Sequence, residues 1–400
     1  MDKKILLGIC GSISIYKVCE LIRRLKNEGY QVRAILSTGA EKFITPLTFS
    51  ALIGDKVFTN QDFFTYQGRA LHIELANYPD LILIVPATAS FLAKLSSGQA
   101  DELLLATLLA STSPVYIFPA MNTNMWTHPA TQENVQKLKK YGYRIYEPSE
   151  GILLCGTSGK GRLPEIEEIF ETVKAHFKPK DFKGKKILIT GGPTREPIDS
   201  VRFITNSSSG KMALSLLKEG YYRGAEVFLV WGKSSTNFLI PDLSFINIPF
   251  PKIYSVETTK DMLEVSSKIF PECDIAIFAG APCDFRPVNV FKGKIKKENL
   301  KKFNLELEIT EDIARTLSLK KEKQIIVGFA LEERETLKEN AIKKLKEKNF
   351  DILIANPLET MGKDTSDFWI FTSSETLAYN NLTKTGLAQI VFDLIKNFIN

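Results

Sequence analysis

One sequence pattern occurs twice in this 400-residue chain and constrains its fold more than any other feature. Residues 3–12 read KKILLGICGS and residues 185–194 read KKILITGGPT, each a basic pair followed by an apolar run and a glycine-containing turn. An apolar run that ends in such a turn is typical of the first strand of a wound α/β unit. The recurrence therefore predicts two such units in tandem, which agrees with the two or three domains expected for this length.

Other segments continue the same pattern in both halves. We predict buried parallel strands at 31–38, 81–88, 115–122, 225–232, 274–281, 324–330 and 351–357. Amphipathic segments such as 163–177 and 335–349 predict the intervening helices. The predicted fold class is α/β, with two tandem doubly wound Rossmann-like domains. We expect the first domain at 1–176, a polar, lysine-rich linker at 177–184 and the second domain at 185–400.

Composition excludes several classes of function. The net charge of +6 comes from 52 basic and 46 acidic residues, without the basic stripe of a nucleic-acid-binding protein. No apolar run approaches the roughly 18 residues that cross a membrane. Only three histidines are present, and the cysteines form no CxxC pair, which disfavours zinc sites and disulfide frameworks: Cys10, Cys19, Cys155, Cys273 and Cys283. We therefore expect a cytoplasmic protein with no nucleic-acid or membrane partner.

Three motifs in the first half carry polar or reactive groups. Gly11-Ser12-Ile13-Ser14 follows the first strand and fits either a phosphate site or a capped turn, with neither favoured by spacing. Asn122, in PAMNTNMW, fits a carboxylate or carbonyl site, although composition favours a capped turn with Met and Trp in the core. Cys155 lies in a glycine-rich stretch that suits a mobile flap with a reactive thiol. His72 is a lone histidine, which is more often structural than catalytic.

The second half holds nearly all of the positive excess. Residues 1–176 carry 18 basic and 17 acidic residues, whereas the rest carry 34 and 29. Asn206 opens a turn rich in hydroxyl groups, and a lysine cluster that includes Lys294 follows Asp284. Lys344 and Lys348 lie four residues apart and share one helical face. A charge run is usually a solvated face, but lysines near predicted strand ends suit a triphosphate.

Taken together, these strings resemble the bacterial bifunctional phosphopantothenoylcysteine decarboxylase/phosphopantothenate–cysteine ligase family over nearly the whole chain. Strings in the first half resemble its flavin-dependent decarboxylase: GSISIYK (11–17), LHIEL (71–75), PATAS (86–90), PAMNTNMW (119–126) and CGTSGKGRLPE (155–165). Strings in the second half resemble its ligase: TGGPTREPIDSVRFITNSSSGKMA (190–213), CDFRP (283–287), KIKK (294–297), VGFALE (327–332) and DILIAN (351–356).

The resemblance implies an FMN site and three catalytic residues in the first half. The FMN phosphate would lie near Gly11, Ser12 and Ser14. Other residues would surround the cofactor: Ser37, Pro86, Ala87, Thr88 and Ala89. His72 matches the active-site histidine of the family, Asn122 the amide that holds the substrate carboxylate, and Cys155 the flap cysteine that acts as an acid.

For the second half, the resemblance implies a CTP-dependent ligase. Asn206 matches the ligase asparagine, and Lys294 matches the lysine that would stabilise charge on CTP. Other positions match nucleotide contacts: Asp284, Phe329, Lys344 and Lys348. The implied substrates are 4′-phosphopantothenate, L-cysteine, CTP and 4′-phosphopantothenoylcysteine. We expect Mg²⁺ to bind with CTP, although no metal ligand is identifiable, and we expect a trimer-based homo-oligomer, as large as a dodecamer.

Some positions depart from the family pattern, and the sequence also bears on three alternative functions. The chain has Gly280-Ala-Pro-Cys-Asp284 where the family usually has Ala-Ala-Val-Ala-Asp, Ser207 where a His is frequent, and Thr310-Glu-Asp-Ile313 for Asn-Pro-Asp-Ile. A flavin-dependent decarboxylase or prenyltransferase relative with another substrate would not explain the ligase-like motifs in residues 190–356. The missing GxGxxG motif argues against a nicotinamide-dependent oxidoreductase. Cys155 and the ligase motifs argue against a purely regulatory flavin-binding protein.

Overall fold

The chain forms two compact units in a computed structural model. One unit comprises Met1–Lys174 and Pro241–Asn247, and the other comprises Ala175–Ile240 and Ile248–Asn400. The structure describes residues 3–65, 70–152, 158–233, 239–296, 302–360, 363 and 365–399. Among these residues, no helix is long and apolar enough to span a membrane.

A five-stranded parallel sheet with helices forms the first unit. Its strands are β1 (Lys4–Ile9), β2 (Gln31–Leu36), β3 (Leu81–Ala87), β4 (Val115–Pro119) and β5 (Arg144–Ile145), followed by an antiparallel pair, β6 (Ser149–Ile152) and β7 (Ser158–Arg162). Its helices are α1 (Lys17–Asn27), α2 (Pro46–Ile53), α3 (Asn60–Phe63), α4 (Leu71–Asn77), α5 (Ala89–Ser96), α6 (Leu103–Ala110), α7 (Thr123–Thr127) and α8 (Pro129–Lys140); α9 (Ile166–Phe177) follows.

The strand order of this sheet is β2-β1-β3-β4-β5, so the winding direction changes between β1 and β3. All seven residues of β3 are buried, because helices cover both faces of a parallel sheet. The predicted α/β fold class is therefore confirmed for this half. The pocket where ligands bind in such folds lies at the carboxyl ends of the strands on either side of that change.

An eight-stranded sheet organises the second unit. The strands are β8 (Lys186–Gly191), β9 (Arg195–Pro197), β10 (Phe203–Thr205), β11 (Glu226–Gly232), β12 (Lys252–Val256), β13 (Ile275–Phe278), β14 (Phe285–Pro287), β15 (Leu307–Ile309), β16 (Ile325–Glu332), β17 (Ile352–Pro357), β18 (Thr365–Phe371) and β19 (Thr376–Thr383). The helices are α10 (Lys211–Tyr222), α11 (Thr259–Ile269), α12 (Ile313–Ser318), α13 (Leu337–Glu347) and α14 (Lys384–Ile399).

The order in the large sheet is β12-β11-β8-β13-β16-β17-β18-β19. The first six strands are parallel, and the winding direction changes between β8 and β13, as in a Rossmann sheet. The last two strands, β18 and β19, pair antiparallel and were not predicted. Two short antiparallel pairs, β9 with β10 and β14 with β15, lie outside this sheet.

The segment predicted as a linker, 177–184, packs into the second unit. Phe182 is fully buried, with its ring 5.0 Å from that of Phe392. Asp181 accepts two hydrogen bonds from the guanidinium of Arg223, at 2.8 and 2.6 Å. The structure thus differs from the linker interpretation, because Phe182 packs on the buried Phe392 and Asp181 binds the buried Arg223.

Arg223 forms the centre of a buried ion cluster in the second unit. Its side chain is 2% exposed and also donates to Asp393 at 2.6 Å. Hydrogen bonds from this guanidinium lower the pKa of Asp181 to about 2. The Asp181 contribution to stability is therefore present above its unfolded-state pKa of about 4 and is lost as the pH falls toward 2.

We predict that Arg223→Ala lowers the free energy of unfolding of the second unit by about 3 kcal/mol, because it removes a buried guanidinium together with its ion pairs to Asp181, Glu219 and Asp393. Urea unfolding of the full chain at pH 7, followed by tryptophan fluorescence and circular dichroism, measures the change. Arg334→Ala is the control, since Arg334 is half-exposed and its pairs with Glu359 and Asp367 are worth less than about 1 kcal/mol. Equal effects of the two variants would contradict the prediction.

Candidate functional sites

The polar residues predicted for the first site follow adjacent strands of the first sheet. Gly11–Ser14 come after β1, Ser37 comes after β2, Thr88 and Ala89 come after β3, and Asn122 comes shortly after β4. Since these four strands are parallel neighbours, the residues lie at one edge of the sheet. The sheet therefore brings together most of the residues predicted to bind the cofactor.

The turn after β1 requires glycine at position 11. A Cβ atom there would lie 2.4 Å from the Gly39 carbonyl oxygen, so the two backbones meet without room for a side chain. The Oγ atoms of Ser12 and Ser14 lie 3.2 Å apart, and a single 3₁₀ turn, Ile13–Tyr16, leads into α1. The result is a small, hydroxyl-lined turn that fits a phosphate group.

Residues after β2 and β3 complete this edge. The Ser37 amide donates to Ile9 O at 3.0 Å, and its Oγ accepts from the Ala40 amide at 3.3 Å. Thr88 caps α5 by accepting a hydrogen bond from the Phe91 amide at 3.3 Å. These contacts fix the hydroxyl groups that the sequence places around the cofactor.

Asn122 is the N-cap of α7, as the capped-turn interpretation of its motif predicts. Its Oδ1 accepts from the Asn124 amide at 2.8 Å, and Trp126 is buried in the core. The cap fixes the side-chain amide at the carboxyl edge of the sheet. The two interpretations of the motif are compatible, because the cap uses Oδ1 whereas a carboxylate would bind Nδ2.

The antiparallel pair β6–β7 packs on this same loop. The Met121 amide donates to Gly161 O at 3.0 Å, and a Cβ atom on Gly161 would lie 2.3 Å from Met121 O. A Cβ atom on Gly159 would lie 2.7 Å from Thr123 Oγ1. Cys155, which was predicted to lie on a flap, is outside the described residues. In the sequence it lies between β6 and β7, and β7 contacts the Asn122 loop.

His72 is located on α4. Its ring packs edge-on against Phe63, with the ring centroids 5.7 Å apart, and the residue is partly buried. Within the described part of the unit, no hydrogen bond links His72 to Ser12, Ser14 or Asn122. The catalytic role of His72 therefore stays a prediction from its motif.

A cavity of about 940 Å³ occupies the carboxyl edge of the second sheet. It brings together residues that are far apart in the sequence and that were predicted as site residues: Asn206, Asp284, Phe329, Lys344 and Lys348. Other lining groups were missed, among them Thr190, Asp312 and Asn356. These residues could have been found from their position at the ends of strands or helices. Threonine and asparagine are so common at such ends, however, that position alone does not identify a site residue.

Asn206 joins two loops of the cavity wall. Its Nδ2 donates to Pro282 O at 2.9 Å and to Ala281 O at 3.3 Å. The Cys283 amide in turn donates to Thr194 Oγ1 at 2.9 Å. The loop in which the sequence departs from the family is thus held by a side chain of the ligase motif.

Two predicted lysines line the cavity, and each pairs with a carboxylate. Lys344 is on α13, and Lys348 comes directly after this helix. Lys344 Nζ lies 2.5 Å from Glu332 Oε1, and Lys348 Nζ lies 2.7 Å from Asp312 Oδ2. Burial would raise the pKa of Asp312, but hydrogen bonds from the Arg315 amide and Lys348 lower it below its ordinary value. The lysines are therefore oriented before any ligand binds.

A glycine begins α10 at the opposite wall of the cavity. Gly210 has φ +73° and a Cβ atom there would lie 2.2 Å from the Trp231 ring, so other residues do not fit. The turn 207–210 and the first turn of this 12-residue helix present hydroxyl and amide groups to the cavity. Such a helix start fits a phosphate group.

Lys294 does not line the cavity in the described part of the chain, unlike the other predicted residues of the second site. It is exposed on an irregular segment that is bonded to the loop between β9 and β10. Among the described residues, no group of three His, Cys, Asp or Glu side chains could hold a metal ion.

Two family models match the chain, one on each half. The model described as "Flavoprotein" matches residues 1–178, and the model described as "DNA/pantothenate metabolism flavoprotein C-terminal domain" matches residues 182–399.

Similar proteins of known name cover almost the full length. The coenzyme A biosynthesis bifunctional protein CoaBC of Bacillus subtilis is 41% identical over 379 residues, which is 92% of this chain and 90% of that protein. The protein of the same name from Borreliella burgdorferi is 35% identical over 396 residues, 98% of this chain and 99% of that one.

Solved structures match each half separately. The C-terminal domain of a CoaBC protein is 35% identical, covering 55% of this chain and 98% of that chain, with a TM-score of 0.45. The FMN-binding protein AtHal3 is 30% identical, covering 44% of this chain and 97% of that chain, with a TM-score of 0.41.

Burial protects the thiols of three described cysteines: Cys10, Cys273 and Cys283. Burial raises the pKa of Cys10 and of Cys273 to about 12, and it raises the pKa of Cys283 above its ordinary value. A thiol whose pKa is raised stays protonated at neutral pH and is a poor nucleophile.

We predict that iodoacetamide at pH 7.5 alkylates Cys155 in the folded protein well before Cys10, Cys273 or Cys283. Peptide mass spectrometry after timed quenching measures each rate, and labelling in urea serves as the control that all thiols can react. Early labelling of Cys10 in the folded protein would contradict the assignment of its thiol as buried and neutral.

Proposed function

The chain belongs to the family of coenzyme A biosynthesis bifunctional proteins, and on that premise we propose how its residues carry out the two reactions. It is an enzyme that ligates 4′-phosphopantothenate with L-cysteine and then decarboxylates the product to 4′-phosphopantetheine. We assign the decarboxylase to residues 1–176 and the ligase to residues 185–400. Full-length similarity disfavours a flavin enzyme that acts on another substrate, because that function would use only the first half.

One observation supports this division most. The second cavity gathers Asn206, Asp284, Phe329, Lys344 and Lys348, which come from four different segments of the chain. Each matches a ligase position of the family, and none belongs to the first unit. A separate edge of the first sheet holds the flavin-type residues, so each reaction has its own site.

The first edge fits FMN. The backbones of Gly11 and Gly39 approach too closely for a side chain at position 11. We propose that the hydroxyl groups of Ser12, Ser14 and Ser37 bind the phosphate. We further assign Pro86–Ala89 to the wall beside the ring system. When bound, FMN supplies two-electron oxidation and reduction at the thiol-bearing carbon of the substrate.

The protein residues of the decarboxylase bind the substrate and move a proton. Asn122 donates from Nδ2 to the carboxylate that leaves as CO₂, and its cap to Asn124 holds the amide in place. Cys155, on the segment between β6 and β7, gives its thiol proton to the carbon that CO₂ has left. His72 assists at the substrate thiol; we place it there from the family motif alone.

In the ligase, a carboxylate oxygen of 4′-phosphopantothenate attacks the α-phosphate of CTP and pyrophosphate leaves. The cysteine amine then attacks the acyl carbon of this acyl-cytidylate, and CMP leaves with the acyl oxygen. Negative charge grows on the phosphate oxygens in the first step, so fixed cations stabilise its transition state. We assign Lys294 to this role and Asn206 to orienting the acyl group.

The paired lysines of the cavity suit a triphosphate. Lys344 and Lys348 are held by Glu332 and Asp312, which limits the side-chain entropy lost when phosphates bind. We propose that both donate to CTP and that Asp284 and Phe329 contact its nucleoside part. We propose Mg²⁺ as a counter-ion that enters with the nucleotide phosphates.

Association into a homo-oligomer is also proposed. Large apolar side chains are exposed on both units: Ile13, Tyr16 and Leu47 on the first, and Val201, Phe203, Phe285 and Ile309 on the second. Exposed apolar side chains mark interfaces between protein chains where they lie side by side. The family resemblance favours trimers of the first unit and dimers of the second, hence a dodecamer. The free described cysteines fit a reducing compartment, and we propose the cytoplasm.

We predict that Gly11→Ala releases FMN, because the new methyl group collides with Gly39 O. The purified variant should lose the visible flavin spectrum and decarboxylation, yet keep CTP-dependent ligation. Gly39→Ala is the matched control, since its Cβ would lie 3.7 Å from Gly11, an ordinary contact. A variant at position 11 with full flavin content would rule out the proposed phosphate turn.

We predict that substitutions separate the two activities. Asn206→Asp or Lys294→Gln should lower pyrophosphate release roughly a hundredfold while decarboxylation of supplied 4′-phosphopantothenoylcysteine continues. Cys155→Ser should still release CO₂ but accumulate the oxidised enethiol, because the proton donor is missing. Mass spectrometry of the products and a pyrophosphate assay measure these outcomes. Unchanged ligation in both ligase variants, or normal reduced product from the Cys155 variant, would refute the respective assignment.

A further inference from the structure

The loop between β9 and β10, residues 198–202, contains a buried carboxylate that the proposed reactions do not use. The Asp199 side chain is fully buried. Its Oδ1 accepts from the Val201 and Arg202 amides at 2.8 Å each, and its Oδ2 accepts from the Ile295 amide at 3.0 Å. The Ile295 bond and the two others lower the pKa of Asp199 to about 2. This carboxylate is therefore charged at neutral pH.

The lysine segment, residues 291–296, depends on this loop for its place. None of its residues belongs to a helix or a strand. The Phe291 amide donates to Ile198 O at 3.0 Å, while Ser200 and Gly293 exchange two hydrogen bonds at 3.2 and 3.3 Å. The hydrogen bonds that the structure gives for the backbone of this segment thus all run to the 198–202 loop.

We propose that Asp199 is a positioning residue for ligation, which fixes Lys294 by binding the next peptide group. The N–H group that it binds belongs to the peptide between Lys294 and Ile295, so the bond restricts the backbone of Lys294 directly. The inference rests on the proposed function, because Lys294 has its catalytic role there. A cation that stabilises a transition state must be held close to its working position.

The contacts exceed what a turn alone needs. One oxygen of Asp199 bonds the amides of Val201 and Arg202, which closes a local turn of the usual aspartate type. The second oxygen bonds Ile295, which is 96 residues away in the sequence. Arg202 spans the same two parts, since Nη2 pairs with Asp199 at 2.9 Å and also donates to Ile295 O.

The same loop also determines the position of Asn206. β10 begins immediately after the loop, pairs with β9, and ends one residue before Asn206. The 198–202 loop is thus linked to Asn206 through β10 and to Lys294 through the hydrogen bond of the Asp199 carboxylate. A shift of this loop would change the separation of the two groups.

The test is Asp199→Asn in the full chain. An amide has one acceptor oxygen, so its NH₂ group would face either the Ile295 amide or the turn amides and lose those bonds. Pyrophosphate release should show a kcat reduced about tenfold to a hundredfold, with a smaller change in the KM for CTP. Amide hydrogen exchange of peptides that cover 291–296 should accelerate, which a role in the turn alone would not produce.

Asp367→Asn is the matched control. Asp367 also accepts a backbone amide bond, from Asn381 at 3.0 Å, and pairs with Arg334 at 3.0 Å, but it lies on β18. Its variant should leave ligation and exchange at 291–296 unchanged. If Asp199→Asn fails to fold, Ser200→Ala replaces it, because that change removes only the hydroxyl bond to the Gly293 amide.

A double-mutant cycle separates this inference from the proposed function. If Asp199 acts through Lys294, then adding Asp199→Asn to Lys294→Gln should lower kcat no further. Additive losses, or an Asp199→Asn enzyme with normal kcat and normal exchange, would overturn the positioning role while Lys294 keeps its own. A Lys294→Gln enzyme with normal ligation would instead refute both the Lys294 assignment and the positioning role that depends on it.

Discussion

The constraint on which both units depend is that parallel strands end at one edge. Each crossover returns the chain to the amino-terminal end of the sheet, so the turn after every parallel strand opens at the same carboxyl edge. In the first unit this brings the Gly11 turn, Ser37, Thr88 and Asn122 to one edge. In the second it assembles a cavity from segments that are more than a hundred residues apart, such as Asn206 and Lys344.

Neighbouring groups hold the side chains that we propose for ligation before substrate binds. Asn206 is bonded to backbone carbonyls, Lys344 and Lys348 are bonded to carboxylates, and the backbone beside Lys294 is bonded to Asp199. Preorganised donors and cations stabilise developing charge without reorganising during the reaction. A ligase that places charge on a triphosphate benefits from this arrangement, because free lysine side chains would lose conformational entropy on binding.

The sequence predicted the parallel cores well, and the reason is physical. Strands buried on both faces read as continuous apolar runs, so β3 and β17 could be located within a residue or two. The antiparallel pair β18–β19 was missed because its second strand is largely exposed and alternates weakly. Phe182 and Asp181 were predicted to lie in a linker, since isolated aromatic and acidic residues within a lysine-rich run give no periodic signal.

Site residues were predictable where a sequence motif contains them. They were not predictable where only the folded structure brings them together. Asn122 and Asn206 stand in long motifs, but the sequence does not reveal that one is an N-cap and the other bonds Pro282 O. Asp199 lies within such a motif too, yet its contact with Ile295 joins segments that no local pattern connects. His72 is a different case, because its catalytic role rests on the motif alone and the ring contact that the structure gives for it is with Phe63.

The central claim is that one chain performs two consecutive reactions at two separate sites. The most direct test supplies the purified full chain with 4′-phosphopantothenate, CTP and L-cysteine labelled in its carboxyl group, and follows pyrophosphate and labelled CO₂ together. The account predicts equal final amounts of both, with pyrophosphate appearing first and neither product forming without CTP. Labelled CO₂ without CTP, or pyrophosphate with no CO₂ from a flavin-loaded protein, would contradict it.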